Sequence, residues 1–433
     1  MIVEFSVQNF RSIKDLQTIS FVATGLKSPD GCNEIDGFNI ENENDSGILK
    51  TVGIYGANGS GKSNIIRALE YFITAITREA SSESDLSLLS DPFLFQENGV
   101  GSESFFQIVL TIANKKYRYG FTVKSNLEYG QKEKQSKEIV TNEWLFGTKS
   151  KNIGELFIRQ GKEVKKEKLP NSEKVPPLPY EHTLFLTHAA AFDADGVCAL
   201  IRNFFKKWTI SNFTNGFKNF RYNTLLLIER EQKKELFLEV LSSFNLKYTD
   251  VIIERDKSDP SGSIVDQDKI FFMKSYKNDN NKSIDVKLNL RNNESAGTQK
   301  LFDLIGLLLR AFDMKYSVFV VIDEIDSNFH PSLLITLIKL FNNPLINKSK
   351  AQLLFTSHDT NLMSPTIMRR DQFYFTEKCE DNSTRLYSLA DLKGIRNDAD
   401  FAKQYLAGFY GALPILDGYS IKDINNNDRS LEN

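Results

Sequence analysis

Apolar residues along this chain change their period several times, and each change marks an element. Ile2 to Val7 alternate as a strand does when one face is buried; a turn follows around Asn9 to Ser12, then a second strand near Thr18 to Ala23. Leu49 to Tyr55 reads as a strand, and after a glycine-rich loop Ile65, Ile66, Leu69, Phe72 and Ile73 recur at helical spacing. A Ser/Asp-rich break, Ser81 to Asp91, precedes Phe105 to Ala113 and Lys116 to Val123, which are split by Asn114-Lys115 and predict a β-hairpin. From Lys124 to Asp285 the texture turns to charged loops, a proline cluster at Pro176, Pro177 and Pro179, and helical stretches such as Leu225 to Phe244. No heptad pattern persists there, so a long coiled coil is not expected. Order returns at Ile284 with a strand, a helix from about Gly297 to Phe312, the apolar run Val318 to Ile322, another helix, and the strand Leu353 to Thr356. Buried strands alternating with helices predict an α/β fold with a mostly parallel sheet.

The loop after the strand Leu49 to Tyr55 reads Gly56-Ala57-Asn58-Gly59-Ser60-Gly61-Lys62-Ser63 and fits G-x-x-x-x-G-K-[ST]. Strand, loop and amphipathic helix fall in register, which a chance Gly/Ser loop would not achieve. Gly59 and Gly61 permit the turn, and the loop amides with the helix N-terminus suit a β-phosphate. Lys62 neutralises phosphate charge, and the Ser63 hydroxyl suits magnesium. The candidate nucleotide-binding residues are Asn58, Gly59, Ser60, Gly61, Lys62, Ser63 and Asn64, and the expected ligands are ATP and Mg2+.

Val318 to Ile322 ends in Asp323-Glu324, the Walker B pattern of a central strand that delivers acids to its carboxyl end. Asp323 is the candidate magnesium residue and Glu324 the candidate general base. Acids that merely cap the next helix, with Asp326 and Pro331, are the bland alternative. Leu353 to Thr356 ends in Ser357-His358-Asp359, and His358 is placed to reach a γ-phosphate or orient water. His182, His188 and His330 lack such a setting. Glu294-Ser295-Ala296-Gly297-Thr298-Gln299 precedes a helix. Ser295 there is either an N-cap helped by Thr298 or part of a second anion site. Lys62 already serves the one γ-phosphate of its own chain, so a second anion site most simply faces another subunit's nucleotide.

Bulk properties narrow the field. With 433 residues and 41% apolar composition, two or three domains are expected. The N-terminus has an early acid rather than a basic signal, and no apolar run reaches the roughly 18 residues of a membrane span. The protein is expected in the cytoplasm, with no membrane partner. Cys32, Cys198 and Cys379 have neither disulfide nor metal spacing. The formal charge of −2 gives no global attraction to nucleic acid. Lys162, Lys165, Lys166 and Lys168 form a local basic patch, read as a solvated hairpin or loop.

Taken in order, these elements resemble the ABC-type ATPase heads of the RecF, Rad50 and SMC group, over about residues 1 to 375. The resemblance implies a P-loop NTPase of ABC-ATPase type, in which the signature turn Ser295 to Thr298 completes a partner's ATP site. Asn9-Phe10-Arg11-Ser12-Ile13 is similar to that group's opening segment, which implies Arg11 near the phosphates. Asp326 falls at the D-loop, His358 matches the switch histidine, and Gln96, in competition with Gln107, stands at the Q-loop with a role at the metal. More narrowly, Glu294 to Thr298, Asp323-Glu324-Ile325-Asp326 with His330-Pro331, and Tyr405-x-x-Gly408-x-Tyr410-Gly411-x-x-Pro414 resemble the AAA-15 branch of AbiLi- and RloA-like, OLD-related anti-phage ATPases. That implies a homodimer or higher homo-oligomer and a separate effector nuclease, often Toprim-like; the RecF-like alternative implies DNA. OLD-type nucleases append a Toprim domain, for which the residues after the ATPase motifs are too few. The implied organisation is lobe I at 1–124 with an antiparallel β lobe, an inserted helical and loop subdomain at 125–284, lobe II at 285–390, and a C-terminal helix and tail at 391–433.

Overall fold

The computed structural model describes residues 1–433 except 44–45, 80–85, 98, 100, 126–137, 150–151, 213–217, 231, 255–268, 314–318, 328 and 415–433. Val318, the start of the Ser/Asp-rich break and the tail after Leu416 fall outside the described residues.

Alternating apolar residues build the first layer. β1 (Ile2–Gln8) buries Ile2, Val3, Phe5 and Val7 and pairs antiparallel with β2 (Gln17–Ser20). After a short helix, α1 (Asn33–Phe38), the hairpin β3 (Ile40–Glu43) and β4 (Ser46–Leu49) leads to β5 (Thr51–Gly56), buried at every position. The phosphate-loop helix α2 (Lys62–Thr77) follows. β6 (Ser104–Ile112) and β7 (Lys115–Ser125) form the expected hairpin, but the turn falls at Ala113-Asn114. Both of these have positive φ, 48° and 60°, the pattern that matches the twist of the strands. β8 (Glu138–Lys149), β9 (Asn152–Gln160) and β10 (Glu163–Lys165) complete a 7-stranded antiparallel sheet in the order β10-β9-β8-β7-β6-β1-β2. The basic patch lies on the β9–β10 hairpin and just beyond it. Lys162 pairs with Glu181, and Lys165 and Lys168 lie near Glu155, as a solvated hairpin would have it.

α2 is clamped between this sheet and the second one. Its apolar stripe buries Phe72 against Phe5, Phe106, Tyr119 and Phe121. α3 (Phe185–Phe192) and α4 (Val197–Phe205) pack beneath it, and Arg202 donates to the carbonyls of Ile76, Thr77 and Arg78, satisfying the open end of the helix.

The second layer is a 6-stranded sheet ordered β11-β15-β16-β5-β17-β18. Its strands are β11 (Thr209–Asn212), β15 (Phe319–Asp323), β16 (Gln352–Thr356), β17 (Phe373–Lys378) and β18 (Thr384–Ser388), with β5 near the centre. All pairs are parallel except β17–β18. The smaller sheet β12 (Asp250–Glu254), β13 (Lys269–Lys277), β14 (Ser283–Asn289) is antiparallel. α5 (Lys218–Glu229) and α6 (Lys234–Ser243) pack on α7 (Ala296–Ala311); α8 (Pro331–Asn342) and α9 (Phe401–Leu406) follow. The α5–α7 contact is close enough that a Cβ on Gly306 would lie 2.4 Å from the Thr224 Cα.

Four of the strands between residues 125 and 284 join the two layers. β8 to β10 extend the antiparallel sheet, β11 forms the edge of the parallel one, and the polar texture of the intervening loops conceals these pairings in the sequence. Among the described residues no helix is long and apolar enough to cross a membrane.

Candidate functional site

β5 ends in a loop that only glycine can trace. Gly56, Gly59 and Gly61 have φ of 150°, 77° and 108°, and a Cβ on Gly61 would sit 2.0 Å from the Thr384 hydroxyl. The loop is braced from β17 and β18. Ser60 Oγ lies 2.6 Å from Thr376 Oγ1, and Thr384 Oγ1 donates to the Ser60 carbonyl at 2.9 Å. Thr384 also meets Ser12 Oγ at 2.7 Å, and Asn64 Nδ2 donates to that same Ser12 hydroxyl at 2.7 Å. Asn64 thus orients the first turn of α2 against the β1–β2 turn. Lys62, only 6% exposed, donates to the carbonyls of Gly56 and Ala57 at 2.8 and 3.0 Å. Burial pushes its pKa down to about 8, against the opposing pull of Asp323, Asp326 and Glu324.

The acids arrive on β15, two places from β5. Asp323 is 3% exposed and accepts from Thr356 Oγ1 at 2.5 Å. The same Thr356 oxygen accepts from the Glu324 amide at 2.7 Å, and the Thr356 carbonyl accepts from the Ile325 amide. These bonds hold Glu324 at φ 54°, a left-handed conformation uncommon for a side-chain-bearing residue and one that re-aims its carboxylate. His358 follows β16, and its amide donates to Asp326 Oδ2 at 3.3 Å. Burial, then Lys62, lowers the His358 pKa below its ordinary 6.5, against the pull of the three acids, so the imidazole is neutral at pH 7.

The remaining sequence candidates fall in different places. Ser295 caps α7, its hydroxyl accepting from the Thr298 amide at 3.1 Å, and Gly297 lies in the first turn. One step on, Lys300 Nζ donates to the Ser327 carbonyl at 3.0 Å, tying this turn to the segment after Asp326. Arg11, at φ 52°, donates from Nε to Asp91 at 2.9 Å and lies over the Tyr71 ring of α2. Gln96 donates to Asn9 Oδ1 at 2.9 Å, and among the described residues no contact joins it to Ser63 or Asp323. Gln107, the competitor, accepts from Trp144 on the antiparallel sheet.

A cleft of about 910 Å³ opens beside the loop, lined by Gly56, Asn58, Ser60, His358 and the turn from Tyr405 to Pro414. Gly408, Gly411 and Ala412 all have positive φ in that turn. Tyrosine hydroxyls pin it: Tyr387 donates to the Tyr410 carbonyl at 2.6 Å and Tyr405 to the Ala412 carbonyl at 3.2 Å. In the sequence these residues stand out only by a likeness; their place at the site comes from the fold. Thr356, Thr376 and Thr384 carried no signal at all beyond standing at or near strand ends.

Asp323 and the half-buried Ser63 hydroxyl are oxygen donors of the kind magnesium accepts alongside phosphate oxygens and water. Among the described residues no group of three or more His, Cys, Asp or Glu forms a self-sufficient metal site. The donor set therefore suits a cation brought with the triphosphate. A glycine loop and lysine for phosphates, with two acids and a neutral histidine on adjacent strand ends, define a P-loop nucleoside triphosphatase.

Residues 52–364 match the family described as "AAA domain, putative AbiEii toxin, Type IV TA system". The match covers well over half of the chain, which belongs to this family and is an ATP-binding and ATP-hydrolysing enzyme. Among solved structures, that of the recombination mediator protein RecF-ATP in the RecFOR pathway is similar over 89% of this chain and 99% of that one, at 12% identity and a TM-score of 0.33. The RecF-ATPrS structure of that pathway covers 89% and 98%, at 12% identity and a TM-score of 0.33. Likeness so slight assigns neither activity nor partner. No curated protein matches the chain.

Thr356→Val keeps the side chain's shape but removes the hydroxyl shared by Asp323 and the Glu324 amide. Steady-state kinetics should show kcat reduced about ten- to hundredfold with nucleotide affinity nearly unchanged, and Thr356→Ser should restore it; undiminished turnover in the valine variant would show that the hydroxyl positions nothing. Lys62 has a second consequence. Its charge is present below about 8 and lost above it, so affinity for MgATP should hold between pH 7 and 8 and weaken as pH rises further. An equilibrium titration flat to pH 10 would contradict a depressed Lys62.

Proposed function

We propose that this ATPase works as a head that pairs with a second copy across two ATP molecules, and that the closed pair controls a separate effector in bacterial anti-phage defence. One observation carries the pairing. Ser295 and Ala296, at the capped N-terminus of α7, are exposed, whereas Lys62 and Asp323 are buried within the chain's own phosphate site. The signature turn, exposed at a capped helix N-terminus, serves in this reading the γ-phosphate of a second chain. In this reading the site is a homodimer's, or a higher homo-oligomer's, composite.

Hydrolysis follows from the residues already placed. Loop amides and Lys62 hold the phosphates, and Ser63 and Asp323 hold magnesium, which supplies charge neutralisation when bound. Glu324 takes a proton from water, whose oxygen bonds to the γ-phosphorus as the bond to the β-phosphate oxygen breaks and ADP departs with those electrons. Neutral His358 orients that water or the γ-phosphate, and Asp326 carries the state of His358 into the segment facing the second copy. Loss of the γ-phosphate removes what the partner's Ser295 turn grips, and the heads separate.

The defence role rests on the likeness of Glu294 to Thr298, Asp323 to Asp326 and Tyr405 to Pro414 to AAA-15 ATPases, and the family's reference to a toxin agrees with it. A separate Toprim-like nuclease is the effector this likeness suggests, and the cytoplasm, where ATP and phage DNA are found, is the expected compartment. The RecF-like reading, with DNA across the closed heads, gains nothing from a formal charge of −2.

Glu324→Gln should bind MgATP but turn it over at least about a hundredfold more slowly, and accumulate as a nucleotide-loaded assembly of doubled mass in light scattering. Turnover at the wild-type rate would remove Glu324 as the base, and a loaded species of unchanged mass would remove the pairing.

A further inference from the structure

The wall of the cleft beside the phosphate loop holds a cation that the mechanism above does not use. Lys378 closes β17, which runs parallel to β5 with Thr376 level with Gly56, so Lys378 stands two residues, roughly 6–7 Å, beyond the start of the phosphate loop. Alternation puts Lys378 on the same face as Thr376, whose hydroxyl touches Ser60. Across the β17–β18 ladder Lys378 pairs with Thr384, whose hydroxyl donates to the Ser60 carbonyl. Both neighbours of Lys378 on this face therefore bond to the phosphate loop, and Lys378 itself lines the cleft.

Charge in the site supports a use for it. Glu377, which also lines the cleft, turns to Arg385 and Tyr387, at 3.3 Å each. Arg11 is engaged by Asp91, and Lys62 stands among three carboxylates. Lys378 is exposed and has no carboxylate partner among the described residues. A nucleoside triphosphate brings more negative charge than Lys62 alone offsets, and an ammonium on a flexible stem is suited to meeting it as a point charge.

The geometry points to Lys378 as a second phosphate-binding cation of the ATP site, reaching the polyphosphate from the β17 side while Lys62 holds it from within the loop. It is a binding residue and takes no part in bond making.

Titration of the wild type and of Lys378→Ala and Lys378→Arg with Mg-AMPPNP, alongside steady-state ATP hydrolysis, tests this. The alanine variant should bind about tenfold more weakly and show a raised KM with kcat preserved, and the arginine variant should stay within about threefold of wild type. Wild-type affinity in the alanine variant would overturn the assignment. So would equal losses in both variants accompanied by a lowered melting temperature, since that pattern marks a structural lysine. Lys62→Ala serves as the control: failure of the wild type and Lys62→Ala to differ would overturn the phosphate-loop reading as well.

Discussion

Three parallel strands ending at one edge make this site possible. β5, β16 and β15 run side by side in the same direction, so their carboxyl ends deliver the phosphate loop, His358 and the Asp323-Glu324 pair to one place. The middle strand does more than separate the other two. Its last residue, Thr356, gives its hydroxyl to Asp323 and receives the Glu324 amide, so the acids are aimed by the strand next to them. A buried carboxylate without such a bond, or a left-handed Glu324 without such an anchor, would be costly to hold.

The loop is likewise held from a distance. Thr376 and Thr384 reach Ser60 across most of the chain and Ser12 meets both Thr384 and Asn64, joining the antiparallel layer and the β17–β18 ribbon to the phosphate loop. The nucleotide-binding loop is consequently a junction of both layers. Burial that favours a neutral Lys62 is opposed by three carboxylates, which leaves its pKa low but still near neutrality. A triphosphate entering this site meets a cation whose charge burial has weakened and the three carboxylates only partly restore.

How much of this was legible in the sequence depended on the range of each signal. The phosphate loop, the acids after an apolar run and His358 after another are local patterns, and the strands β5, β15 and β16 and the helices α2 and α7 lie within a few residues of where periodicity puts them. The Ser295 cap is visible for the same reason. Thr356, Thr376, Thr384 and Lys378 are invisible because an isolated threonine or lysine at a strand end has no period, and its meaning comes from a partner far along the chain. Gln96 shows the same limit from the other side: a residue type suited to a metal site, but bonded to Asn9. The pairing of β11 with β15 was hidden in a stretch whose charged loops suggest a separate body.

The central claim is that one chain's Ser295 turn completes the site built around another chain's Lys62. The direct measurement is ATP hydrolysis in mixtures of two inactive chains, one carrying Lys62→Ala and the other Ser295→Arg. Each mixed pair contains one intact site, with Lys62 from the second chain and Ser295 from the first, so activity should reappear on mixing and peak near equal amounts. No recovery at any ratio, with both chains folded and shown to associate, would contradict the composite site.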